Sequence, residues 1–293
     1  MSGGRVVLLA LVSLFFSLLL AEASRTVGVE KTLVYWLTGL ALSSVGLLTY
    51  YRGLEFLVAG STHGSFLAVT LGYLLASLFN TSIYYSAIPI GLALVYIAGY
   101  FIYRGLDPNK VSSFMVSFTS SAGVIAAYYV LTAFPARYSL SSIMLGDPVL
   151  MTVNDMIAAS TISFIVLALV LLIYEETVFI SIDPVSAKIA GLRVWLYDFA
   201  SFTAIGLATI GLLRVSGYIM EHVMILLPPL IGARISGNSR EHLFSTLLVS
   251  TASSALGYLV AIEQGLSPVG ASGLILVLLF LYTVFIRRQG RHE

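Results

Sequence analysis

The chain has 293 residues, 58% of them hydrophobic and only 10% charged, with a formal net charge of +1. That balance falls outside soluble globular domains and inside the membrane class, and no tract is basic enough to act as a nucleic-acid-binding arm. Cysteine is absent, which excludes a disulfide framework and any thiolate metal site.

Crossing about 30 Å of hydrocarbon takes roughly 20 apolar residues in a helix, and without water to satisfy the backbone each apolar window is expected to be helical. The first charge-poor window, residues 6–21, follows Arg5 and runs into Ala21-Glu22-Ala23. Residues 1–23 therefore read either as an extra helix or as a cleavable signal-like segment. Residues 32–51 form the next window, and residues 56–103 contain no Asp, Glu, Lys or Arg over a length sufficient for two spans. Asn80-Thr81-Ser82 between those two fits a glycosylation acceptor, a three-residue match that is usually accidental. Further windows cover residues 111–136, 156–174, 199–213, 215–232, 242–262 and 264–286. The expected fold is all-α, one polytopic transmembrane domain over residues 1–293 with ten spans, or nine if the first is removed.

With the N-terminus in the cytoplasm, the inner loops collect Arg5, Arg52, Arg104, Lys110, Lys188, Arg193, Arg234, Arg240, Arg287, Arg288 and Arg291. Only Arg25, Lys31, Arg137 and Arg214 then lie outside, the asymmetry that the positive-inside rule favours. Both ends are expected in the cytoplasm of a cell-membrane protein.

The longest polar interruption after mid-chain is residues 174–195. Asp183 followed by Pro184 reads as an N-cap with proline in the first turn, and Gly191 after Ala190 reads as a terminator. A short cytoplasmic helix, or a plain amphipathic loop, fits these signals. No phosphate-cradling loop of the G-x-x-x-x-G-K-[ST] or G-x-G-x-x-G kind occurs, so energy for uphill transport would have to come from another subunit or an ion gradient.

Several stretches share one resemblance. Ser181-Ile182-Asp183-Pro184, with Ala187-Lys188 and Ala190-Gly191-Leu192, matches the pattern sfDpelAkalGl. Leu145-Gly146-Asp147 through Asp155 is similar to fGdllavsweD. Leu213-Arg214-Val215 with Gly217, Leu227-Pro228 and Ala233-Arg234 resembles lrvvGvlLvsaLlilPaatAr, and residues 58–72, VAGSTHGSFLAVTLG, stand where gDalSHaalpGvalG is expected. In this order, over residues 33–286, the chain resembles the membrane permease of ATP-binding-cassette importers for zinc, manganese or iron, a type II importer permease. The resemblance implies that residues 181–192 are a coupling helix, with Asp183, Pro184, Ala187, Lys188, Ala190 and Gly191 engaging the ATPase. It further implies two permease copies around one path, two ATPase subunits that bind the ATP, an external solute-binding protein, and a divalent ion as cargo, with no permanently bound cofactor.

Two departures from the pattern bear on the path. His63 is kept, while the aspartate position holds Ala59 and the proline position Leu67; downstream, a small apolar pair is replaced by Glu221-His222. An ionisable group in a membrane helix costs at least about 2.5 to 3.5 kcal/mol at the bilayer centre, so it is expected to face a cavity, an ion path or a partner charge. Imidazole and carboxylate both suit Zn, Mn and Fe. His63, Glu221 and His222 are therefore the expected metal path, with Pro228-Pro229 two turns on as the expected kink. Against this stands an ion pair of Glu221 with Arg214, seven residues away. Met220 and Met224 read as packing before soft ligands, and His242 and His292 as solvated. The alternatives for the whole chain are a permease for a siderophore or cobalamin-type chelate, favoured by a wide path without inward ionisable groups, and a receptor or structural membrane protein.

Overall fold

The computed structural model describes residues 28–133, 146 and 148–289, with 21, 22 and 25. Most of the first expected window, Arg137, Leu145, Asp147 and His292 lie outside them. The described elements are all helices: α1 Val29–Arg52, α2 Glu55–Phe79, α3 Ile83–Tyr103, α4 Pro108–Ala133, α5 Val153–Ile182, α6 Pro184–Ile189, α7 Val194–Gly211, α8 Leu213–Ile235, α9 Ser239–Gln264 and α10 Pro268–Gln289. Eight of the nine long ones have the length and apolarity of a membrane span. The ninth, α8, carries Glu221, His222, Arg234 and two prolines. The 24 residues of α1 reach about 36 Å at 1.5 Å per residue, enough to cross.

The turns follow from local sequence. Gly53, Asn80 and Gly265 take left-handed dihedrals at the ends of α1, α2 and α9, so Asn80 serves as a helix terminator. At the start of α5 the Thr152 hydroxyl accepts the N–H of Asp155, and the Asp155 carboxylate accepts the N–H of Thr152, a reciprocal cap.

α1 is the centre of the bundle, with α5, α8, α9 and α7 packed around it; α2 lies between α3 and α4 and reaches α8, and α9 and α10 pack as neighbours against α8. The closest approach is at Gly46 of α1, where a Cβ would stand 1.9 Å from the carbonyl oxygen of Ile225 and 2.9 Å from Cγ of Pro229. Sequence chemistry explains the fit. Pro229 has no N–H, so the Ile225 carbonyl four residues earlier lacks its helical donor and turns its oxygen to Gly46, which has no side chain in the way. The expected kink at Pro228-Pro229 is joined by a backbone break upstream. Helical dihedrals continue through both prolines, and the break is at Gly217, with φ 70° and ψ 156°.

Ion pairs join helices at both ends of the bundle. At one end Arg214 Nε lies 2.8 Å from Asp155 Oδ2, and the Tyr84 hydroxyl donates to Oδ1 at 3.1 Å. At the other, Arg52 pairs with Asp198 and Arg240 with Glu175. Arg214 is thus engaged by Asp155, which overturns the expected alternative of an Arg214–Glu221 pair. Asp155→Ala should cost about 3 kcal/mol, because it leaves a half-buried guanidinium without its carboxylate and removes half of the α5 cap. Thermal unfolding in detergent is the measurement, and an unchanged midpoint would refute the network's role.

Candidate functional site

His63 projects from α2 and His222 from α8, and their ring centroids are 6.2 Å apart. Tyr218, one turn before His222, sits between them, 5.1 Å from the first ring and 5.3 Å from the second. Its hydroxyl is 2.7 Å from Nε2 of His63, while Ser120 Oγ of α4 is 3.1 Å from Nδ1. His222 has its Nδ1 3.1 Å from the carbonyl oxygen of Tyr218 and its Nε2 2.8 Å from the Thr62 hydroxyl. A carbonyl only accepts, so in the neutral ring the proton belongs on Nδ1, and the Nε2 lone pair faces Thr62. A backbone acceptor that fixes the tautomer in this way is the usual support of a metal-binding imidazole.

Both histidines are half-buried, on a face left open by the bundle. On α2 the half-exposed positions Ala59, His63 and Phe66 recur at helical spacing, and on α8 Tyr218, His222, Leu226 and Leu230 recur every four residues. The two imidazoles thus meet where half-exposed positions of α2 and α8 come together.

Glu221 departs from the expectation that it shares this site. The residue is fully buried, its Oε1 accepts from the Ser216 hydroxyl at 3.3 Å, and its Oε2 has no hydrogen-bond partner among the described residues. Neighbouring residues on a helix lie about 100° apart, so His222 on the open stripe turns Glu221 into the bundle. Among the described residues no group of three or more His, Asp or Glu side chains comes together. Met220 and Met224 are buried in packing, the former with its sulfur 3.3 Å from the Tyr35 hydroxyl. His242, expected to be solvated, is buried at 3% exposure. Its ring nitrogens lie 2.8 Å from the Pro229 carbonyl and 3.0 Å from the Tyr51 hydroxyl.

The short helix α6 forms as its caps require. Asp183 Oδ1 accepts the N–H groups of Ser186 and Val185 at 3.0 and 3.2 Å. The hydroxyl and N–H of Ser186, with the N–H of Val185, hold this carboxyl below the ordinary carboxylate range. The cap is therefore in place above that range and loosens as pH falls through the lowered value. At the other end Gly191, with φ 85°, donates to the Lys188 carbonyl at 3.0 Å and Leu192 donates to that of Ala187 at 3.0 Å, the paired bonds of a Schellman motif. Ala187 is fully buried, so it fixes α6 to its own chain and does not point outward as a coupling residue would. The outward stripe is Ile182, Val185 and Ile189, exposed at 74, 66 and 82%. These three were not singled out in the sequence; Val185 and Ile189, four apart on α6, share one helical face, while Ile182 ends α5. Tyr218, Thr62 and Ser120 were also missed; only Tyr218, four residues before His222, had a readable signal.

A membrane-spanning helical bundle with a capped helix on one face and an imidazole pair on an open stripe defines the transmembrane subunit of a transporter. The description of the ABC 3 transport family matches residues 29–287, and the chain belongs to that family. It is a transport subunit of the cell membrane. Among relatives, the manganese import system permease protein ScaB of Streptococcus parasanguinis is 24% identical over 263 residues, covering 87% of this chain and 89% of that protein. Among solved structures, PsaBC from Streptococcus pneumoniae in complex with Fab has a TM-score of 0.76 at 18% identity, covering 91% of this chain and 95% of the other. An inward-facing ABC transporter described as metal-chelate type has a TM-score of 0.66 at 18% identity, covering 87 and 85%.

Proposed function

We propose that this chain is the permease subunit of an ABC importer for a divalent transition-metal ion, and that the stripe bearing His63 and His222 lines the translocation path. The observation that carries the reading is the imidazole pair itself: two rings from different helices, 6.2 Å apart, on an open face of a membrane bundle. Two nitrogens are fewer than the four or more ligands that such ions take, so water or the facing stripe of a second copy would supply the rest. An incomplete set suits transport, because an ion held too tightly would not leave. The ionisable stripe also favours a bare ion over a bulky chelate as cargo. Glu221 contributes from behind the path, through Ser216 and the Gly217 break, and not as a ligand in this conformation.

A separate ATPase would grip α6 and an external binding protein would deliver the ion at the opposite end. Arg52, Arg104, Lys110, Lys188, Arg193, Arg234 and Arg240 gather at the α6 end, against Arg25, Lys31 and Arg214 at the other, which supports placing α6 in the cytoplasm.

The test is uptake of manganese, zinc and ferrous ions into vesicles holding the permease, its ATPase and its binding protein. His63→Ala and His222→Ala should each lower uptake by at least about tenfold with ATPase binding intact, while Glu221→Gln should change it less. Uptake unchanged in the double histidine variant would overturn the assignment.

A further inference from the structure

We propose that the cavity beside α6 binds an anionic phospholipid of the adjoining leaflet, its phosphate at Lys188 and its acyl chains toward Phe202. The cavity encloses about 640 Å³, within the range of small-ligand sites, between the ends of α1, α3 and α6 and the start of α7. Its lining combines a cation, aromatic rings and apolar side chains. At the mouth stands Lys188, which forms no ion pair among the described residues. Beside it Arg52 is matched by Asp198, so that pair adds no net charge and the free cation is Lys188. The cavity's apolar lining is Leu54 and Ile102 near the helix ends and, deeper, Phe202, eight residues into α7 and about 12 Å from its start. A soluble anion would have no use for that lining, and a neutral lipid none for the ammonium.

The rim fits the level of the headgroups. Trp195 and Tyr103 line the cavity and are 52 and 70% exposed, as amphipathic rings at a membrane interface are expected to be. One turn deeper, Phe199 is 51% exposed and stacks on Tyr96 at 4.9 Å between centroids, continuing an aromatic wall into the lipid. Basic pockets between spans on the cytoplasmic side are recurrent sites for anionic headgroups. On α6, Lys188 lines the cavity while Val185 and Ile189 are exposed.

The chain has two tryptophans, Trp36 and Trp195, so Trp36→Phe leaves Trp195 as a reporter inside the site. The permease, alone and with its ATPase bound, is titrated in detergent with phosphatidylglycerol or phosphatidylcholine brominated on the acyl chains, and with inorganic phosphate. Phosphatidylglycerol should quench Trp195 at lower mole fraction than phosphatidylcholine, with or without the ATPase. Lys188→Gln should weaken that preference about fivefold and Lys188→Arg should retain it. Equal quenching by the two lipids, no effect of Lys188→Gln, or displacement by the ATPase would overturn the proposal. Displacement by millimolar phosphate would assign the site to a free anion instead.

Discussion

Ile189→Glu is expected to abolish stable association with the ATPase while leaving the permease folded and inserted. Ile189 is 82% exposed and Val185 66%, so neither side chain contributes to this chain's own core. Apolar groups displayed on the water side of a membrane protein mark a docking surface, and the caps at Asp183 and Gly191 hold them in fixed register. A charge in place of a central apolar anchor costs an interface roughly 2 to 4 kcal/mol, or about 30- to 1,000-fold in affinity. Co-purification, followed by titration of the ATPase onto the reconstituted permease, gives the number. Wild-type affinity in Ile189→Glu would remove α6 as the coupling element.

Gly46→Val is expected to be the most damaging single change in the bundle, at about 3 kcal/mol or more. The atom that a Cβ would strike at 1.9 Å is a backbone carbonyl, which cannot rotate aside as a side chain can. Relief would require moving α8 off α1, and with it His222 and the face opposite His63. Gly270→Ala is the control, since its nearest neighbour would be at 3.9 Å. Thermal unfolding of the two variants in the same detergent should separate them clearly; equal midpoints would mean that the α1–α8 contact is adaptable.

The long helices were legible because charge-free windows of span length have few other ways to satisfy their backbone in lipid. α6 was legible from Asp183-Pro184 and Gly191, whose side chains or missing side chain make the terminal bonds locally. Orientation around each helix axis was not. Glu221 and His222, about 100° apart, could not both be exposed, and which one is depended on how α8 packs against α1. The partner of Arg214 was missed for a similar reason: Asp155 is remote in sequence and arrives from another helix, whereas Glu221 is two turns away on the same one. His63 and His222 start from opposite ends of the bundle, and their meeting depth depends on the break at Gly217, where a glycine was visible but its dihedral was not. The prolines did not reveal that the Ile225 carbonyl packs against Gly46 of α1, a relation between residues 46 and 225 that neither local stretch shows.

The lone carboxyl of Glu221 also bears on how the protein is made. A nascent α8 presented to lipid by itself would expose an acid, an imidazole and two carbonyls without donors, and an acid alone costs about 2.5 to 3.5 kcal/mol to insert. Two of these groups meet a helix synthesised earlier: the Ile225 carbonyl lies against Gly46 of α1, and His222 meets Thr62 of α2. Insertion of α8 is thereby expected to be easier once α1 and α2 are present. The helix with the buried acid is thus the one whose entry into the membrane is expected to lean most on its neighbours.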